Sequence, residues 1–396
     1  MKIKHIITAV FFFIFASCAN NAGDSLYRII IGTSDNGALL VTPSGQKAEK
    51  GDTIILTLIV TDDNYESVTI STVPPLEINT LGNKRYSFIM PGEKVTVNFS
   101  VLYPEIDGLK LGDIVQGKGR LAWRDEFNGT SLDTAKWNYD YGNGTQYNSL
   151  APGWGNAEKQ WYMPSNAKVE NGLLVIEARK DAGGNYSSAK ITTKGTLSSD
   201  GYTTYPQKKF LGVSTGAVEA RIKGPRGTGF WPAFWMLGAN VDRYSGYENI
   251  GWPRSGEIDI YEMNGSNMSS HGQVIHYFNP STGSNSRTGT GNYVVPNMAD
   301  DFHVYGVEWN KTGVRFYFDG EYKEHPTNGP ITFPLENCFS EPFYDNVPWV
   351  IIINLAVGGN YLQGAVPDDA VFEDNPQAKE DRSLKVDWVR VYEEVK

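Results

Sequence analysis

The stretch Gly256-Glu257-Ile258-Asp259-Ile260-Tyr261-Glu262-Met263 holds three carboxylates, kept apart by apolar side chains. Acid alternating with Ile is the pattern of a half-buried β-strand. Side chains two apart on a strand share a face, so Glu257 and Asp259 point one way and Glu262 the other. One β-bulge between Asp259 and Glu262 would return Glu262 to their side. Carboxylates crowded in a cleft repel one another and shift each other's pKa values, at a cost in stability. The chemistry that uses such crowding is acid/base and nucleophilic work on a glycosidic bond, which needs two carboxyls at a fixed separation. The bland alternative is a solvated acidic sheet face or a cation site.

The elements that would position these groups are strands. From Leu121 onward the chain alternates over Leu173–Ala178, Gly216–Lys223, Trp231–Leu237, His303–Trp309, Val314–Asp319, Trp349–Leu355 and Leu384–Glu393. No amphipathic helix of normal length interrupts them. Many strands with Gly-rich turns imply an all-β, two-sheet sandwich or jelly roll rather than a parallel α/β fold. Asp319-Gly320 is a two-residue hairpin signal. Gly212-Val213-Ser214-Thr215-Gly216 matches the serine-hydrolase elbow, but a strand rather than a helix follows it, so the match is chance. The histidines lack zinc-ligand spacing, and no phosphate-binding glycine loop is present.

All ten Trp lie at or after position 123, which splits the chain. Residues 25–103 read as a small all-β module, immunoglobulin-like or akin to bacterial surface repeats, with strands near Tyr27–Gly32, Thr53–Thr61, Ser67–Thr72, Tyr86–Met90 and Val95–Leu102. Residues 104–118 read as a linker and 119–396 as the main domain. Residues 1–18 read as an export signal: Lys2 and Lys4, an apolar run from Ile6 to Phe15, then Ala16-Ser17-Cys18. The last four residues resemble a lipoprotein box, which makes Cys18 a lipidation site and anchors the chain at a bacterial outer membrane or cell surface. The other cysteine, Cys338, is left without a partner. The net charge is −10, and −12 once the segment with Lys2 and Lys4 is removed. That disfavours nucleic acid and fits a neutral ligand.

Several blocks in order then carry a resemblance. They are Trp123-Arg-Asp-Glu-Phe-Asn128, Gly155-Asn-Ala-Glu-Lys-Gln160, Asn171 to Lys180, Gly216 to Lys223, Phe230-Trp-Pro-Ala-Phe-Trp-Met-Leu237, Gly256 to Glu262, Asn354-Leu-Ala-Val-Gly-Gly-Asn360 and Val386-Asp-Trp-Val-Arg-Val-Tyr392. Residues 119–396 resemble the catalytic domain of glycoside hydrolase family 16, of the laminarinase-like type. The resemblance implies a concanavalin-like β-jelly roll with a cleft on its concave sheet, and endo-acting, retaining hydrolysis of β-1,3- or mixed β-1,3/1,4-glucan. It makes Glu257 the nucleophile, Glu262 the acid/base and Asp259 the residue between them, with Glu262 raised in pKa and Glu257 kept low. It also assigns sugar binding to Asn156, Arg179 and His276. Trp231 and Trp235, four apart on a strand, share a face and suit sugar stacking.

No cofactor is implied for catalysis. Many relatives hold a structural calcium, here matched by Glu126, the Gly172 carbonyl and Asp387. A monomer acting on a polysaccharide is expected. A galactan or host glycan cut by the same residues, or a non-catalytic glycan-binding jelly roll, are the competing readings. Tyr261 stands where many laminarinases have Met, and the long loop Gly238–Pro253, directly before the acidic strand, is expected to shape one end of the cleft.

Overall fold

The computed structural model describes residues 26–394, apart from 33–36, 61–64, 103–108, 110, 148–149, 198–203, 206–215, 243–247, 311, 333–342 and 344–346. Cys18, Cys338 and the Ser214 motif therefore lie outside the described residues. The chain forms two compact units, Met1–Leu102 and Tyr103–Lys396.

In the first unit two four-stranded sheets carry the alternation. One runs in the order Lys47–Ala48, Tyr27–Ile31, Val95–Leu102, Ser67–Val73, and the other Gly37–Thr42, Thr53–Val60, Arg85–Ile89, Asn79–Gly82. Thr53–Val60 shows why it is a strand: Ile54, Leu56, Leu58 and Val60 are buried while the residues between them are not.

The second unit is a sandwich. Its concave sheet has seven strands, in the order Asn138–Asp140, Lys190–Thr192, Trp349–Val357, Phe230–Gly238, Glu257–Glu262, Val274–Asn279 and Ser284–Gly289. The convex sheet of ten strands centres on Ser383–Glu393, flanked by Gly216–Lys223 and Leu173–Glu177. Between the sheets lies one continuous core, with Phe234, Ile258, Ile351 and Ile353 facing Val218, Ala220, Val386 and Val389. Each of these Val, Ile and Phe side chains taken fully out of water stabilises by about 1.5–3 kcal/mol.

Trp349–Val357 is buried along all nine residues. Its odd positions enter the core, while Val350 and Ile352 join Leu237 and Ala239 in a second apolar cluster on the other face. This central strand therefore reads as a continuous apolar run instead of an alternating one.

The hairpin at Asp319-Gly320 has positive φ at both turn residues (49° and 81°), with Phe318 opposite Glu321, as a tight two-residue turn requires. The linker read over 104–118 is shorter at its C-terminal side. Leu111 is buried, and Ile114 and Val115 pair with Arg120 and Gly119, adding an edge to the convex sheet. The one α-helix among the described residues is Pro376–Asp381, started by Asn375 accepting from the Ala378 N–H.

Candidate active site

The acidic strand carries the bulge that its sequence requires. Against Phe230–Gly238, Glu262 faces Ala233, Tyr261 faces Phe234, and the next pair is Asp259 with Trp235. Ile260 is the extra residue, without a partner across the ladder. Ile258, Ile260, Tyr261 and Met263 all turn into the core, while Glu257, Asp259 and Glu262 line one cleft of about 1440 Å³. Tyr261 is fully buried against Tyr305, ring centroids 4.5 Å apart, so the departure noted at this position bears on the core and not on the cleft.

On its other edge the acidic strand pairs with Val274–Asn279 only from Glu257 opposite His276 to Asp259 opposite Val274. Beyond that point the buried Gln273 side chain replaces the ladder. Its amide nitrogen donates to the Ile260 carbonyl at 3.1 Å, and its amide oxygen accepts from the Tyr293 hydroxyl at 2.8 Å. A bulge leaves a backbone group unpaired, and burial makes that costly unless something answers it. Gln273 answers it. At the strand's start Gly256 has φ 66°, and a Cβ there would lie 2.9 Å from Phe343 and 3.1 Å from Trp349, so glycine is required on both counts.

Each carboxyl has different company. Trp252 donates its indole N–H to Glu257 Oε2 at 2.9 Å, and Trp231 donates to Glu262 Oε1 at 3.0 Å. Burial pushes the Glu262 carboxyl up, while the Trp231 bond and the Arg287 charge pull the other way. Glu257 was expected to stay low and does not. Burial, then the Glu262 charge, raises it, and Trp252, Lys190 and a hydrogen bond from Asp259 only partly offset that. Asp259 is pushed well above the usual carboxylate range by burial and by both glutamates. The hydrogen bond it shares with Glu257 raises it while lowering Glu257, so Asp259 is the member that offers the proton. His276 Nε2 lies 3.4 Å from Asp259 Oδ2 and 3.9 Å from Glu257 Oε1. Burial lowers the His276 pKa, so the ring is neutral at neutral pH.

The cleft wall departs from expectation in several places. Trp231 and Trp235 do share the cleft face, but neither is a bare platform. Trp231 lies 5.0 Å from the Tyr361 ring, and Trp235 donates to Asn354 Oδ1 at 2.8 Å with the Lys190 ammonium 5.1 Å from its ring. Asn156 lines the cleft beside Glu158. Arg179 does not line it: its guanidinium is turned to Glu177 Oε2 at 3.1 and 3.0 Å. Cations in the wall are instead Lys190, Lys194 and Arg287, with Lys190 buried 3.6 Å from Asp140. Burial alone would push Asp140 up, but Lys194 and Lys190, with bonds from Tyr147 and Thr196, hold it at about 2. Lys190 was legible only as a charge inside the buried run Ala189-Lys190-Ile191. Trp252 and Tyr361 gave no separate signal.

The calcium set does not fit. Both oxygens of Glu126 accept from Arg390 at 3.0 Å, and Asp387 Oδ2 accepts from Arg221 at 2.5 Å. A hard cation needs several free oxygens, and both carboxylates here already serve a guanidinium.

A concave β-sheet that lays three crowded carboxyls along an open, aromatic-walled cleft defines a jelly-roll glycoside hydrolase. The comparisons agree. Residues 122–394 match the family model described as the glycoside hydrolase family 16 domain of β-porphyranases A–D. A glucan endo-1,3-β-glucosidase of Niallia circulans is 37% identical over 294 residues, which cover 69% of this chain and 38% of that protein. A β-glucanase of Rhodothermus marinus is 36% identical over 283 residues, covering 69% of this chain and 84% of its own length. Among solved structures, a laminarinase from Flavobacterium is 34% identical with a TM-score of 0.52, covering 69% of this chain and 100% of that one. The chain belongs to glycoside hydrolase family 16.

Two outcomes follow from the geometry. A carboxyl whose pKa is raised on folding keeps a proton that the unfolded chain gives up, so its contribution to stability falls as pH rises above the unfolded value. Asp259→Asn removes that loss and keeps a donor toward Glu257. Its melting temperature should exceed the wild type's at pH 7 by more than at pH 4, by about 2–4 °C for each kcal/mol gained. A difference independent of pH would contradict the buried-charge account. Gln273→Leu should release the bulge and lower kcat, by up to about 100-fold for a misplacement near 1 Å, with a much smaller change in KM. A folded variant with unchanged kcat would show that Gln273 does not position Glu262.

Proposed function

We propose that this chain is an endo-acting, retaining β-glycosidase that hydrolyses β-1,3- or mixed β-1,3/1,4-glucan as a monomer. The observation that carries the reading is the bulge at Ile260, which brings Glu262 to the same cleft face as Glu257 and Asp259. Glu262 begins protonated and donates to the glycosidic oxygen as Glu257 attacks the anomeric carbon. Water, deprotonated by Glu262, then releases the glycosyl-enzyme. Asp259 and Trp252 donate hydrogen bonds that steady the charge on Glu257. His276 stands beside this pair, Trp231 holds Glu262, and Asn156 stands at the cleft wall for the sugar. The relatives named as glucanases and the acidic chain support a neutral glucan. A second reading, a β-linked galactan or host glycan cut by the same carboxyls, has one observation in its favour: the matching family model is described by β-porphyranases.

Glu257→Ala and Glu262→Gln should each abolish hydrolysis while the far-UV spectrum and melting transition stay native. Wild-type turnover in either would overturn the roles. Chromatography of products from laminarin, barley β-glucan, agarose, porphyran and mucin glycans decides the substrate, with laminarin or barley β-glucan cleaved first. Release from only the last three would replace the glucan reading with the second one.

The same proposal places the chain on a bacterial surface through lipid at Cys18, supported by Lys2, Lys4, the apolar run Ile6 to Phe15 and the small residues before the Cys. Among the described residues no helix is long and apolar enough to cross a membrane. In a host that processes lipoproteins, wild-type protein should sediment with membranes and Cys18→Ser should not. Equal sedimentation would sink the anchor.

A further inference from the structure

We propose that Glu257, Asp259 and His276 form a binding site for a borderline divalent cation, Zn2+ or Cu2+, and that its occupancy blocks the cleft. The block rests on the roles proposed above for the carboxyls, whereas the binding does not. One donor atom from each of the three residues lies within 4.8 Å of the others. His276 Nε2 is 3.4 Å from Asp259 Oδ2 and 3.9 Å from Glu257 Oε1. Donors around a tetrahedral zinc, at bond lengths of about 2.0–2.2 Å, stand roughly 3.3–3.5 Å apart. The three atoms therefore need only a small closing movement to share an ion.

The second observation is independent of the cluster's acidity. Asp259 is only 4% exposed, and its Oδ2 has no hydrogen-bond partner. A buried carboxylate oxygen without a partner costs free energy until something fills its place, and this one is aimed at His276 Nε2. The atoms pointing away from the shared space are spoken for. Glu257 Oε2 accepts from Trp252, and His276 Nδ1 faces the Asn285 amide, 2.9 Å from its nitrogen and 3.3 Å from its oxygen. When Nε2 takes a metal, Nδ1 carries the proton, and the Asn285 amide, turned over, accepts it. A ligating histidine is commonly fixed in this way.

The donor set selects the ion. Once the metal displaces the proton that Asp259 holds, releasing it to solvent, two carboxylates and one imidazole, with a fourth position open to the cleft, suit zinc or copper. Calcium asks for six to eight oxygens, and magnesium keeps its waters. Glu262 stays outside the set, with Oε1 held by Trp231. A cation on Glu257 ties up the nucleophile, so it competes with polysaccharide.

The test uses the full chain, stripped with chelator and dialysed, titrated calorimetrically with ZnCl2, CaCl2 or MgCl2. The expected result is one Zn2+ per chain and no heat from Ca2+ or Mg2+. The melting temperature should rise with Zn2+, and hydrolysis should be inhibited over the same concentrations and restored by EDTA. His276→Gln should weaken zinc binding at least tenfold. Asn285→Ala, outside the ligand set, should weaken it less and covers the case where the first variant fails to fold. Cys338→Ser should bind as the wild type does. Absence of stoichiometric binding, undiminished affinity in folded His276→Gln, or loss of binding in Cys338→Ser would each overturn the site. Zinc binding without any hydrolase activity would leave the site standing and defeat the functional reading instead.

Discussion

One residue of excess length governs this molecule. Because Ile260 has no partner opposite Phe230–Gly238, the strand's alternation is reset between Asp259 and Glu262. Without that reset Glu262 would enter the core and Tyr261 the cleft. With it, two consecutive large side chains, Ile260 and Tyr261, are both buried among Tyr305, Phe234 and their neighbours. The core must accept an irregular pair of side chains for the cleft to receive a regular set of carboxyls. The broken ladder leaves the Ile260 carbonyl to Gln273, itself held by Tyr293. The bulge is thus a feature supported from three sides.

The reset crowds carboxyls where water is scarce, and the hydrogen-bond donors they find are neutral. Indole N–H groups from Trp252 and Trp231 each take one glutamate oxygen. A neutral donor stabilises a carboxylate less than a cation does, so burial wins and both glutamates stay raised. At the other end of the cleft the balance reverses. Asp140, buried more deeply still, sits between Lys190 and Lys194 and remains ionised. The raised carboxyls lie beside neutral aromatics, and the ionised one lies among ammonium groups. Burial acts in the same direction on both, and the charge of the partners decides the outcome.

The strands and the bulge were legible because alternation is local: Glu257 to Met263 contains its own register. His276 was legible from the family resemblance together with a strand pattern close after the acidic one; that strand, Val274–Asn279, lies beside it, and His276 pairs with Glu257. What failed was local information stretched over long range. Arg179 stands in a matching block, yet its direction is set by Glu177, which in turn is held by Arg382, 205 residues further along. Glu126 and Asp387 read as calcium ligands because nothing in the sequence says that Arg390 and Arg221 reach them first. Lys190 matters through Asp140, fifty residues earlier, and no periodicity links the two. The expectation for Glu257 failed differently, because its pKa depends on how deeply three neighbours are buried together.

Reaction type and substrate choice are therefore written in different parts of the structure. The acidic strand, its bulge and the two indoles form a unit that any β-linked sugar could meet in the same way. Discrimination must come from groups that touch the chain of sugars away from the cut bond. The cleft offers Lys190, Asn354 and the exposed Asn156 over a base of Trp235, with Lys190 and Asn354 already engaged by protein neighbours. Such pre-paired groups favour a ligand whose hydroxyls replace bonds one for one, since any group left without a partner costs about 1–3 kcal/mol. Arg287, exposed and paired opposite His276, stands beside the acidic cluster itself, where its charge lowers the Glu262 and Asp259 carboxyls. Arg287 therefore bears on the protonation of Glu262, while Lys190 and Asn354 are polar groups whose present partners a bound sugar would have to replace.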